Sequence, residues 1–141
     1  VAINLIGSVM SKWILGLVLS ASLFALVPRT GEYTCGRLKP AGLKYDCLRA
    51  ISGKFVDENA SGVCDSYLDS QETVKCMNVI AGMTFQTTAL MACDRFNRAE
   101  ETTLCLWSIV NCQLDDSAVK ECDKYSATAD TISCFRYYCQ H

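Results

Sequence analysis

The sequence predicts an all-α fold of tandem αα-hairpin repeats, four units with a period of 29, forming a short disulfide-stapled solenoid. Three observations carry that expectation. Cys35, Cys64, Cys93 and Cys122 stand 29 residues apart, and each is followed twelve residues later by a second cysteine, at Cys47, Cys76, Cys105 and Cys134. Apolar residues return around each cysteine at helical spacing. No stretch keeps the period-2 alternation of a strand long enough to argue for a sheet.

The first helix of each unit is read from a recurring motif, Cys-Asp-x-aromatic: Cys64, Asp65 and Tyr67; Cys93, Asp94 and Phe96; Cys122, Asp123 and Tyr125. Ala60, Ala89 and Ala118 precede these cysteines by four residues. Alanine, cysteine and aromatic therefore fall at i, i+4 and i+7, one face of a helix. Asp57, Thr87 or Thr88, and Asp115 or Asp116 are the candidate N-caps. The second helix follows from Thr73, Cys76, Met77 and Ile80 at i, i+3, i+4 and i+7, matched by Thr102, Cys105, Leu106 and Ile109. Asn97 with Glu100 three residues on suggests a capping box before it. Gly53, Gly82 and Asn111 are suited to the left-handed residue that ends it. The first unit is the odd one, with Gly36, Leu38, Pro40 and Gly42, as befits a terminal cap.

Ten cysteines allow hundreds of pairings, and the repeat removes most of them. Pairing within units joins Cys35 to Cys47, Cys64 to Cys76, Cys93 to Cys105 and Cys122 to Cys134. Pairing across units would strand Cys35 and Cys134, so the first scheme is preferred. Cys112 and Cys139 lie outside the period at the ends of neighbouring second helices, and a fifth bridge between them would lock the last unit to the third. No metal is expected, because no C-x2-C pair occurs and the only histidine is His141.

Before the repeats, Ser11 and Lys12 precede an apolar run from Trp13 to Val27, the layout of a signal peptide with Ala25 as a cleavage site. The run is short for a span of about twenty residues, although an uncleaved anchor is the alternative. The expected organisation is a leader over residues 1–25, whose first nine need not be native if initiation is at Met10, then a linker over 26–34 and the repeat domain over 35–141. Leader and paired cysteines together point to a secreted or periplasmic location. In plan the repeat region resembles secreted, disulfide-stapled helix-hairpin repeat proteins. Its unit is shorter and its cysteines are farther apart than that resemblance implies, and no functional residue is carried over from it.

The repeat region holds eleven Lys and Arg against fourteen Asp and Glu, scattered along the chain, so a nucleic-acid partner is not expected. No nucleophile stands with a base: His141 is terminal, no C-x-x-C redox pair occurs, and no glycine-rich phosphate loop is present. The repeated Asp65, Asp94 and Asp123 read as a local hydrogen-bonding or capping group in preference to a catalytic set. No catalytic residue and no cofactor are therefore assigned.

One column does break. Two residues after the second cysteine stand Arg49, Asn78 and Arg136, where the third unit has Trp107. An exposed Trp107 beside Arg136, Tyr137 and Tyr138 would form a binding surface. The blander reading, preferred on residue type, folds it back over the neighbouring unit and the Cys112–Cys139 bridge. The expected function is a non-catalytic, exported interaction module with a protein or cell-envelope partner, touching a membrane only if its leader is uncleaved. The alternative is a small secreted enzyme or effector with an unrecognised site.

Overall fold

The computed structural model describes residues 30–139, which form eight α-helices and no strand. The expected leader, residues 26–29, Gln140 and His141 lie outside the described residues. The helices are α1 (Thr30–Gly36), α2 (Ala41–Ile51), α3 (Glu58–Asp65), α4 (Ser70–Ile80), α5 (Thr87–Asp94), α6 (Ala99–Ser108), α7 (Asp116–Asp123) and α8 (Thr128–Cys139). Residues 30–34, read from the sequence as the end of a linker, are helical.

The odd-numbered helices are seven or eight residues long, and they stop before the aromatic that was expected to complete their face. Tyr67, Phe96 and Tyr125 lie in the turn beyond. Their N–H groups bond back to the carbonyls of Cys64, Cys93 and Cys122 at 3.3–3.4 Å, which tightens the last turn. The cause is the bridge. A disulfide brings two Cα atoms within 5.4–5.6 Å, so the chain must reverse directly after the first cysteine to present the second twelve residues later. A helix carried on to the aromatic would overshoot.

The caps differ in part from the sequence reading. Asp57 and Asp115 accept the N–H of Ala60 at 3.0 Å and of Ala118 at 2.7 Å. Asp69, not anticipated, caps α4 through the N–H groups of Gln71 and Glu72. Thr87 is instead the first residue of α5, and Gln86 before it uses its side-chain oxygen on the Leu114 N–H at 2.9 Å. Asn97 is not the cap of α6, because the helix begins one residue later than a capping box requires, after Arg98. The Ser117 hydroxyl and the Ala118 N–H hold the Asp115 carboxyl below its ordinary value of 3.8. Its cap is therefore complete above that value and is lost as pH falls through the lower folded one. Asp115→Ala is expected to lower the melting temperature at neutral pH, with the difference from the parent closing in strong acid.

At the other end of the even-numbered helices, Gly53, Gly82 and Asn111 take φ values of 69°, 82° and 52°, the left-handed stop. Asn111 also ties two connecting loops together. Its side-chain oxygen accepts the Thr84 N–H at 3.0 Å, and its own N–H donates to the Thr84 carbonyl at 3.1 Å.

Five disulfides form: Cys35–Cys47, Cys64–Cys76, Cys93–Cys105 and Cys122–Cys134, the pairing that the periodic spacing selects, and Cys112–Cys139 between the two cysteines outside the period. Each odd-numbered helix packs on the even-numbered helix that follows it. The odd-numbered helices also pack on one another in series, α1 on α3, α3 on α5 and α5 on α7, and α2, α4, α6 and α8 do the same. The core lies between these two rows and is built around the cysteines, with Met77, Ile80, Leu106, Ile109 and Phe135 at 0–1% exposure. Ala60, Ala89 and Ala118 are buried, and Gly31 holds the same column in α1. A Cβ there would meet Val56 Cγ2 at 3.1 Å and Ile51 Cδ1 at 3.2 Å, so even a methyl at this position would push its neighbours aside.

Candidate interaction surface

Buried threonines define the inward face of the even-numbered helices and so, by difference, the outward one. Thr73, Thr102 and Thr131 are 0–3% exposed, and each bonds its hydroxyl to the carbonyl four residues back. Thr102 and Thr131 also reach the carbonyls of Phe96 and Tyr125. On α6 the inward set is Thr102, Cys105, Leu106 and Ser108. Trp107 and Leu104 fall on the opposite side, three residues apart and therefore neighbours on the helix surface.

Trp107 is 61% exposed and Leu104 is 47% exposed. The expectation that Trp107 folds back over the next helix pair is thus corrected. The inward face of α6 is already filled, and a 3.6-residue turn leaves its side chain no route to the core. Arg49, Asn78 and Arg136, which share its column, are exposed as well. Arg136 and Tyr137 stand on α8, which packs directly on α6. Tyr137 is 64% exposed and meets the Tyr138 ring edge-to-face at a centroid distance of 5.4 Å. The three residues singled out in sequence, Trp107, Arg136 and Tyr137, are therefore all exposed on adjacent helices.

Elsewhere in this row Tyr45 on α2 is also exposed, at 72%, and two local ion pairs flank the remaining surface. Arg49 meets Asp46 at 2.9 Å on α2, and Lys75 meets Glu72 at 2.6 Å on α4. The Glu72 hydrogen bond and charge raise the Lys75 pKa. Exposed pairs of this kind contribute little to stability and serve mainly to keep the surface wet. Leu104 was not singled out in sequence. The signal that could have found it is its place three residues before Trp107, in a column otherwise occupied by Asp46, Lys75 and Ser133.

The repeated aspartates have a structural use of a different kind from the one expected. Asp65 receives Arg37 at 2.7 Å, and Asp123 receives Arg95 at 3.1 Å. Each arginine comes from the preceding helix pair. Arg95 also donates to the carbonyls of Asp123 and Tyr125 and to the Thr131 hydroxyl, so one guanidinium ties α5 to both helices of the last pair. Tyr67 makes a comparable link, its hydroxyl 3.2 Å from that of Thr103, and burial raises its pKa.

Among the described residues no group of three His, Cys, Asp or Glu side chains is placed to hold a metal ion, and every cysteine is in a bridge. No described helix is long and apolar enough to cross a membrane. Five disulfides indicate an oxidising compartment. The chain matches no family model, no curated protein and no solved structure.

Proposed function

We propose that the four helix pairs constitute one short disulfide-stapled solenoid, exported to the cell surface, periplasm or medium, which acts without catalysis by presenting its even-numbered helices to a protein or envelope partner. The observation that carries this reading is Trp107, a large aromatic 61% exposed in a column that is otherwise polar. A stacked array gives a continuous, rigid surface, and an aromatic flanked by arginine is the composition of binding hot spots. Leu104 enlarges the apolar centre, and Arg136 and Tyr137 supply the charged and amphipathic rim.

The test is Trp107→Ala. Its side chain packs against little of the core, so the melting temperature is expected to move by no more than a degree or two. Retention of a partner recovered from the native envelope or medium is expected to weaken by ~2 kcal/mol, the hot-spot scale. A large loss of thermal stability with partner retention intact would show that Trp107 is part of the fold, and the reading would fail.

A further inference from the structure

The last helix pair departs from the columns of the others at the positions that its predecessors bury. Glu121 stands where the second and third pairs have Val63 and Ala92, which are 8% and 6% exposed. Tyr137 and Tyr138 stand where the third pair has Ser108 and Ile109, 8% and 1% exposed. Tyr125 follows Tyr67 and Phe96 in the aromatic column, and it is 42% exposed. Together these residues, with Asp130 and Ser133, line a cleft of about 470 Å³.

The chemistry of this cleft is narrow: three phenol rings, two carboxylates, a hydroxyl and the bridged Cys134, with no cationic side chain in its wall. Glu121 is paired with Lys124, whose ammonium stands beside the cleft. The Glu121 hydrogen bond and charge raise the Lys124 pKa, with Tyr125 and Tyr138 acting in the same direction. Asp130 makes no ion pair among the described residues. The two other acidic residues of its column, which has Leu43 in the first pair, are both engaged: Glu72 receives Lys75, and Glu101 receives the Thr128 hydroxyl at 2.9 Å.

We propose that this cleft binds a quaternary ammonium group. Ring faces attract a cation through their quadrupole, and Asp130 supplies the opposite charge. A trimethylammonium is weakly hydrated and needs no hydrogen-bond acceptor, so it suits phenol walls better than a primary ammonium, which would compete with Lys124 for Glu121. Stacking of a second copy is the wrong occupant, because it would carry Glu121 into the place of Val63 and Ala92, where the internal contacts are apolar.

The experiment is a titration of the intact, oxidised protein with choline, followed by the chemical shifts of the tyrosine rings. Saturable binding in the millimolar range is expected, with shifts at Tyr125, Tyr137 and Tyr138. The uncharged isostere 3,3-dimethylbutanol is expected not to saturate. Asp130→Asn and Tyr137→Ala are each expected to weaken binding at least fivefold, and Lys124→Met to strengthen it by removing a competing charge. Circular dichroism would establish that each variant is folded. Phosphatidylcholine vesicles form a second arm: retention on them that Asp130→Asn abolishes would identify the headgroup as the source of the cation, and choline binding without retention would identify a free solute. Equal binding of the neutral isostere, or choline binding unchanged in folded Asp130→Asn, would overturn the proposal.

Discussion

Complete reduction of the five bridges is expected to unfold the helical domain, not merely to loosen it. Seven of the ten cysteines are 0% exposed, so the bridges are a large part of the core and not clips on its surface. The helices they join are seven to twelve residues long, below the length at which an isolated helix is stable in water. In the chain-entropy model each bridge across twelve residues contributes roughly 3 kcal/mol, and four of them together rival the whole stability of an ordinary domain. Circular dichroism at 222 nm before and after reductant is the check, and an unchanged signal and melting temperature would show that the stacked helices suffice alone. Order is expected as well. Cys112 and Cys139 are both half-buried, whereas each bridge inside a helix pair has at least one fully buried cysteine. Under limiting reductant, alkylation should label Cys112 and Cys139 first.

The second large effect is expected at Phe135. It is the largest fully buried side chain among the described residues, at 0% exposure, and it shares a column with Met77 and Leu106, also at 0%. Phe135→Ala should cost ~3–5 kcal/mol, since the cavity is walled by bridged helices that can move little to fill it. Urea denaturation of parent and variant measures this directly. The contrast with Trp107→Ala matters: two aromatics at most a turn apart in the repeat register, one buried and one exposed, should differ severalfold in their effect on stability. A cost below about 1 kcal/mol would mean that the last helix pair is not cooperatively joined to the rest.

The helices and their pairing were legible because cysteine reports two things together, a helix face and a distance. Thr73, Cys76, Met77 and Ile80 are all buried on α4 as their spacing implies. The Gly53, Gly82 and Asn111 stops are in the left-handed region, where few other residues sit comfortably. What was not legible was where the short helices end. Tyr67, Phe96 and Tyr125 keep perfect helical spacing from Cys64, Cys93 and Cys122, but the bridge overrides that periodicity and turns the chain. Nor could spacing reveal that Arg37 and Arg95 reach aspartates 28 residues away, because pairing across helix pairs depends on how the pairs stack. The exposed surface was half legible. The column of Arg49, Asn78 and Arg136 indicated water, and the general preference of tryptophan for burial pulled the other way. A residue's type is a weaker guide than its register once a helix face is filled.

Leu68 is fully exposed in the turn between α3 and α4, a natural target for a protease that cleaves after large apolar residues. That turn lies inside the ring closed by Cys64–Cys76, so hydrolysis there leaves both new ends covalently tethered and the two helices still packed. The same holds for the corresponding turn of every helix pair, each enclosed by its own bridge. A cut in a segment such as 81–86, by contrast, lies between rings and severs the covalent path. Nicks in the turns inside the rings therefore leave the covalent path through all four helix pairs unbroken, a tolerance of cleavage that the bridges confer in addition to stability.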